Sequence, residues 1–495
     1  MPDAESGGAS ARTGGRTAGP GLLLLVVCLC QLVVVLDMTV VNVALPAIRT
    51  DLGFSPGDLQ WVVNAYTLTF GGLLLLGGRL ADLFGHRLAM LLGLVLFGVT
   101  SLFGGLAQNP GELIAARAAQ GVAGAVLLPV SLTVISANFA EGPARSRALA
   151  AWGAVAGAGG AVGVLLGGVL TEYLDWRWVL FVNLPVVAVA VPLALRAIPV
   201  HKAAARPRLD LPGAVLVTAA MITLVYAVVR TGDHGWGSAQ TLGTLALTVV
   251  LGGLFVLVER RFATAPLVRF GILRQRPVLV ANVVVFLIAS AQFGAFYFAS
   301  LYLQGVLGYS PVRTGLAFVP FSLGIVAGTI VAARLIRLLG PRLPLVAGLA
   351  LAAVGMAWFG LVSADGTFLG DFLGPSLVAS VGLGVCLVAN TTAATAGIPV
   401  HEAGLASGLL NACRQSGGSI GLAVLVTVAD AVTRHHSAGP ASRVALTAGY
   451  DRAFLVGAVL IAAGAVTAAL LLPRTPRPTA TAQPPAPARA LAEEA

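Results

Sequence analysis

The chain has 495 residues, 57% of them hydrophobic and only 10% charged, with a mean hydropathy of +0.92. A soluble domain carries about a quarter charged residues, so the composition excludes a soluble domain and describes a polytopic helical membrane protein. The balance is basic, 30 Lys and Arg against 20 Asp and Glu, with a single lysine, Lys202. These charges punctuate apolar segments rather than gather on one face, so they are topology determinants and not a nucleic-acid surface.

Residues 1–20 are polar and rich in Gly, Ala and Ser. The apolar run behind them is too long for a signal-peptide core and has no small-residue cleavage site after it, so it reads as a retained helix. Segments of about 20 apolar residues, each enough to cross a bilayer core, then follow in order. They predict α1 at 21–45, α2 at 58–77, α3 at 88–107, α4 at 111–136, α5 at 146–171, α6 at 178–197 and α7 at 211–229. The series continues with α8 at 241–258, α9 at 278–302, α10 at 313–333, α11 at 343–363, α12 at 367–395, α13 at 403–430 and α14 at 452–472.

In α1, the stretch VVVLDMTVVNVALP sets Asp37 inside an apolar run. A charge at the bilayer centre costs about 2.5–3.5 kcal/mol on insertion scales, so it faces a cavity or a partner. In α2, Gln60, Asn64, Thr67 and Gly71 share one helical stripe, beside Tyr66. Two readings stand for it, substrate contact or polar glue between helices. The loop after α2 reads GRLADLFGHRL. There Gly85 suits a tight turn and Asp82 suits a cap on the following helix start.

In α4, LIAARAAQGVAGA places Arg117, Gln120, Gly121 and Gly124 on one face. The face is cationic and amide-bearing at one end and smooth at the other, where glycines admit a close neighbour. Arg117 is therefore the expected partner of Asp37. Burial disfavours an ionised carboxylate and a nearby guanidinium favours it, so such a site can exchange a proton as water access changes. The alternative is a permanent structural ion pair. In α5, Gly159, Gly163 and Gly167 recur every four residues, a ridge for close packing with or without a gating role. In α13, Asn411, Arg414, Gln415 and Gly418 repeat the α4 spacing. Arg414 either lines the cavity or pairs with helix-end carbonyls near the interface.

The loop after α10, ARLIRLLGPRL, matches the loop after α2 without a gap at Arg79/Arg334, Leu80/Leu335, Leu83/Leu338, Gly85/Gly340, Arg87/Arg342 and Leu88/Leu343. This internal repeat predicts two six-helix halves, as transporters commonly have. The expected fold is thus all-α and polytopic: two pseudo-symmetric six-helix bundles with two extra membrane helices between them. Its segments are a cytoplasmic tail at 1–20, a first bundle at 21–200, a linker with the extra helices at 201–277, a second bundle at 278–472 and a disordered cytoplasmic tail at 473–495. Fourteen spans put both termini on one side. Counting Lys and Arg gives 21 on that side, 7 on the other and two within spans, so both termini are expected in the cytoplasm.

Six segments in order resemble the major facilitator superfamily, specifically its fourteen-helix drug:proton antiporter branch. LDMTVVNVALP resembles the branch's first-helix motif; GRLADLFGHR, through Gly78, Asp82, Gly85 and Arg87, resembles the superfamily's loop motif. LIAARAAQGVAGA resembles the fourth-helix motif through Arg117, Gln120 and Gly121. WRWVLFVNLP, LYLQGVLGYSP and GLASGLLNACRQSGGSIG resemble segments typical of the branch. The resemblance implies rocking of two bundles around a central site, with substrate leaving as protons enter. It also implies a cytoplasmic latch at the loop after α2, incomplete in the second copy where Arg337 stands in place of Asp82.

The chain departs from the branch in two places. Val164 follows Gly163 where a proline is usual, so the expected kink of α5 is in doubt. The tenth helix, 313–333, holds no carboxylate, which argues against a preference for divalent cations.

The rival readings are weaker. An ATP-driven pump needs a phosphate loop with lysine, and the context of Lys202, PVHKAAARP, is not one. An enzyme would need a metal or nucleophile constellation. The six histidines fall in loops or at span ends, and Cys28, Cys30, Cys386 and Cys413 sit singly in apolar runs as small core residues. The expectation is therefore a transporter rather than an enzyme, with no metal and no cofactor. It is driven by the proton-motive force and exports a drug-like small molecule as a monomer in a bacterial cytoplasmic membrane. A proton-coupled importer of another organic solute is the alternative.

Overall fold

The computed structural model describes residues 19–139, 142–199, 210–263, 267, 271–395, 400–436 and 442–473. The two tail assignments and the loop around Lys202 lie outside these residues. Fourteen helices follow in the expected order: α1 Pro20–Leu52, α2 Trp61–Phe84, α3 His86–Gly105, α4 Pro110–Asn138, α5 Pro143–Tyr173, α6 Trp178–Ala197 and α7 Leu211–His234. Then come α8 Ala239–Phe262, α9 Arg276–Val306, α10 Pro311–Leu339, α11 Arg342–Phe359, α12 Phe368–Thr395, α13 Val400–His435 and α14 Arg443–Leu471. Thirteen of them are long and apolar enough to cross a membrane. The other, α2, has 24 residues, also above the length a bilayer core requires.

Several helices overrun their apolar runs. Helix α1 continues seven residues past 45, through Pro46, and α14 begins at Arg443, so Arg443 and Arg452 lie on a helix rather than in a loop. Backbone groups at the membrane boundary still need partners, and helical turns supply them internally. Helix starts carry the local signals for it. Proline occupies the first turn of α1, α4, α5, α7, α9 and α10. Side chains of Asn109, Asp210, Ser238, Ser310, Thr367 and Ser442 accept the first free amides.

The packing is built twice. In the first half α1 packs on α5, α2 on α4, and α3 on both α4 and α6. In the second α9 packs on α13, α10 on α12, and α11 on both α12 and α14. The register of the repeat is a constant 255 residues from α1 to α4. It carries the end of α2, Phe84, onto the end of α10, Leu339, and brings α3 and α11 to within one residue at both ends. Turn glycines follow it, with Gly53 and Gly308 at φ 70° and 68°, and Gly85 and Gly340 at φ 80° and 71°. Only glycine adopts these angles without strain. Helix α7 packs on α8 and also on α2 and α13, one helix from each half.

The halves meet through α2 with α13, α5 with α10 and α1 with α9. Ser300 and Gln304 donate to the carbonyls of Asn42 and Val43 at 2.8 and 2.9 Å. The Glu172 carboxylate accepts the Val312 amide at 2.8 Å. The hydroxyls of Thr67 and Ser419 touch across the seam. The joints at Asn42, Val43, Ser300, Gln304, Glu172 and Val312 lie in the parts of their helices remote from the chain termini, whereas Ser419 meets Thr67 at the middle of α13.

Candidate functional site

Asp37 sits at the midpoint of α1 with no solvent exposure, and Arg117 of α4 is 2% exposed. The Arg117 guanidinium donates to Oδ2 of Asp37 at 2.6 Å. Gln120, one turn along α4, donates to Oδ1 at 2.8 Å, and Asn183 of α6 donates to the same oxygen at 2.9 Å. Ser101 of α3 accepts from both amides, at 3.2 and 3.0 Å. Arg117 is held in turn by the Val62 carbonyl at 3.1 Å, by Gln120 Oε1 at 2.6 Å and by the Tyr66 ring 4.5 Å from its centre. Four helices of one bundle thus converge on a single carboxylate.

Chemically this is a carboxylate and a guanidinium buried together away from the protein surface. Removing a carboxylate and a guanidinium from water costs several kcal/mol each, which their attraction offsets only when the remaining donors and acceptors are matched. Here both carboxylate oxygens are matched. Charge-assisted bonds of this kind are about twice as strong as neutral ones. The arrangement can hold a negative charge stably, and it loses that stability when any donor is drawn away.

The glycines of α4 and α5 lie against identified neighbours. Gly121 lies against the Tyr66 carbonyl and the Thr69 hydroxyl, and an added methyl at Gly124 would stand 2.9 Å from the Tyr66 hydroxyl. This brings α4 onto α2. Gly159, Gly163 and Gly167 face Val35, Thr39 with the Leu36 carbonyl, and Val40, bringing α5 onto α1. Helix α5 runs as one continuous helix from Pro143 to Tyr173. The Val164 carbonyl instead lies against Gly315 of α10, in the seam.

The proposed cavity residues separate into three places. Tyr66 and Gln120 belong to the buried Asp37 cluster. Thr67 of the α2 stripe and Gln415 are buried at the seam rather than on an open wall: Thr67 meets Ser419, and Gly71 faces Gln415. Asn64 is buried on α2 and donates to Gln60 at 3.4 Å. Gln60 is buried at the start of α2 and donates to the Gly57 carbonyl at 2.8 Å. Asn411 and Arg414 are partly exposed; Asn411 donates to its own helix at Ser407. At the latch, Gly85 makes the turn between α2 and α3, Gly78 lies beside Pro129, and Arg79 and Arg87 are partly exposed. The Asp82 side chain falls outside the described residues.

Sequence reasoning did not assign Asn183 or Ser101. Asn183 lies in the quoted stretch WRWVLFVNLP, where a lone amide in an apolar run was its signal. Ser101 has none, since serine satisfies itself inside any helix. Among the described residues no group of His, Cys, Asp and Glu is placed to hold a metal ion.

The profile of the Major Facilitator Superfamily matches residues 27–422. The cephamycin export protein of Amycolatopsis lactamdurans is 45% identical over 92% of this chain and 93% of its own. The puromycin resistance protein of Streptomyces alboniger is 44% identical over 89% of each. The tetracenomycin C resistance and export protein of Streptomyces glaucescens is 34% identical over 86% of this chain and 78% of its own. Among solved structures, a bacterial homologue of the human lysosomal transporter Spinster, in an inward-facing and occupied conformation, superposes with a TM-score of 0.63 at 17% identity. That match covers 92% of this chain and 97% of the other, and at this identity it speaks for the fold alone.

Proposed function

The chain belongs to the Major Facilitator Superfamily, and from that premise we propose that it is a proton-driven exporter of drug-like molecules working by alternating access. The likeness at 44–45% identity to antibiotic export and resistance proteins supports the export of such compounds. One observation supports the proton role: a carboxylate at the centre of a membrane helix, ligated by Arg117, Gln120 and Asn183. The energy source is the proton-motive force, no bound cofactor takes part, and the transporter acts as a monomer.

With the termini in the cytoplasm, as the arginine distribution supports, the joints at Asn42, Val43 and Glu172 lie toward the outer side. In this state Asp37 is ionised and its proton has left toward the cytoplasm. Drug then occupies the space between the bundles. Opening the outer side parts the joints of α1 with α9 at Asn42 and Val43, little more than a turn from Asp37. Water reaches the carboxylate, a proton neutralises it, and the grip of Arg117 relaxes. Drug leaves outward, and the protonated carrier returns.

Everted vesicles test this. With an imposed acid-inside gradient, puromycin is expected to dissipate the gradient in vesicles bearing the native chain. Vesicles bearing Asp37→Asn are expected to give no response. Uphill drug movement that continues at an unchanged rate after the gradient is collapsed would end the proton role.

A further inference from the structure

Helix α13 shows each neighbour a different side. Gln415 and Ser419 meet α2, at Gly71 and Thr67. Gly417 and Gly421 meet α9, at Phe286 and Ser290. Ser416 donates to the Met221 sulfur of α7 at 3.3 Å. Arg414, near the middle of the helix, is about half a turn from Ser416 and falls on the remaining side, with Asn411 and Gly418 at i−3 and i+4. That side looks between a helix of the first half and a helix of the second. Asn411 and Arg414 are partly exposed there, whereas Gly418, Leu422 and Leu425 farther along it are buried.

Among the described residues, the Arg414 guanidinium makes no hydrogen bond and no ion pair. It does not take the helix-end carbonyls that its place in the sequence allowed. The acids of the flanking helices stand far from it. Helix α9 holds none. Asp82 of α2 lies 11 residues beyond Gly71, the residue that faces Gln415, and Glu402 and Asp430 of α13 lie 12 and 16 residues from Arg414. At about 1.5 Å per residue, each is roughly 16 Å or more away along its helix. The Asp37 carboxylate is already answered by Arg117, Gln120 and Asn183. A cation within a membrane span and without a counter-charge is costly. Beside it, Gln415 is 4% exposed and its Nε2 has no acceptor. Two donor groups thus stand side by side with nothing on the protein to accept from them. A planar guanidinium matches the two oxygens of an oxyanion in parallel bonds.

We propose that Arg414, with the Gln415 amide beside it, is a subsite for a singly charged oxyanion of the cargo, a carboxylate or a sulfonate. It deepens the exporter reading by naming the class of cargo, and rests on that reading only in calling the guest cargo. The two halves then use charge differently. The first bundle closes its acid and its guanidinium on each other. The second presents a fixed positive charge to the space between the halves.

Phenylglyoxal, which adds to unpaired guanidinium groups, reads the site on the purified full-length chain in liposomes. The probes are naphthalene-2-sulfonate, an anion at every working pH, and its uncharged analogue naphthalene-2-sulfonamide. Mass mapping is expected to find an adduct on Arg414. Saturating sulfonate is expected to lower it at least about tenfold, within what bonds to a charged group supply, and the sulfonamide to leave it in place. The exposed Arg443 reports the reagent and stays equally labelled throughout. Gln415→Leu is expected to raise the half-protecting sulfonate concentration severalfold. Titration calorimetry gives a second readout, in which Arg414→Gln removes the preference for sulfonate over sulfonamide. If a variant does not fold, the probe pair on the native chain decides. No Arg414 adduct, no protection by the sulfonate, or equal protection by both probes overturns the subsite. Everted vesicles separate the site from its use. They are expected to accumulate the sulfonate under an imposed acid-inside gradient. Protection of Arg414 without accumulation, in vesicles that do move puromycin, overturns the assignment of the guest to the cargo. Protection in a chain that moves neither compound overturns the exporter reading and leaves the anion site standing.

Discussion

Asp37 and Arg117 illustrate how a buried pair differs from a surface one. At the C-terminal end of α1, Arg177 bonds Asp51 at 2.9 Å, but both groups are substantially exposed and such pairs contribute little. The inner pair is buried, so removing one partner strands the other. Arg117→Ala is expected to cost about 3–5 kcal/mol in stability. The double variant Asp37→Asn/Arg117→Gln is expected to cost less than the sum of its single changes, which a double-mutant cycle of melting temperatures measures. Asn183→Ala removes one bond to a charged acceptor and is expected to cost about 1.5–3 kcal/mol. A melting temperature unmoved by Asn183→Ala would detach that amide from the site. The charges were legible in the sequence because an ionised group in an apolar run has no bland explanation. Asn183 was harder to read, because a neutral amide is tolerated in many packed helices.

At the level of the helix, spacing named the close-packing faces but not all of the partners. Gly167 and Gly160 lie two turns apart on α5 and look alike in sequence. A methyl at Gly167 would stand 2.6 Å from the Val40 carbonyl, whereas one at Gly160 meets nothing within 4 Å. Gly167→Ala is therefore expected to cost about 1–3 kcal/mol through overpacking, while Gly160→Ala is expected to be neutral or slightly stabilising. Size-exclusion profiles and melting of the two variants in detergent check the contrast. The continuity of α5 at Val164 has its own reason. Valine keeps the amide and the helix continuous, and the Val164 carbonyl can then approach Gly315 across the seam. Polar stripes read differently from glycine ridges. Thr67 and Gln415 were equally good as substrate contacts or as glue, and the structure buries both where the halves close.

At the scale of the molecule, among the described residues, the two halves meet through α1 with α9, α2 with α13 and α5 with α10. If the seam opens and closes during transport, a covalent tie across it stops the cycle. Thr67→Cys with Ser419→Cys, in a chain whose four cysteines are replaced, is expected to form a disulfide, since the native hydroxyls already touch. Oxidation is expected to abolish drug efflux from cells and a reductant to restore it. Full efflux with a quantitative disulfide would exclude rocking about this seam. Helix α7 bears on the same motion, because it packs on α2 and α13 together and must slip against one of them when the halves part.

By itself the sequence determined the solvent of this protein, its helices, their order and the buried acid with its guanidinium partner. Each of these follows from local chemistry: an apolar run long enough for a bilayer, a cap, a proline, a charge that needs an opposite charge. The places of Asn183 and Ser101 in the cluster and the helix faces through which the halves meet were decided by tertiary structure alone. Those depend on which faces of distant helices meet, and the distance between Asp37 and Asn183 along the chain, 146 residues, carries no record of the 2.9 Å between them in space.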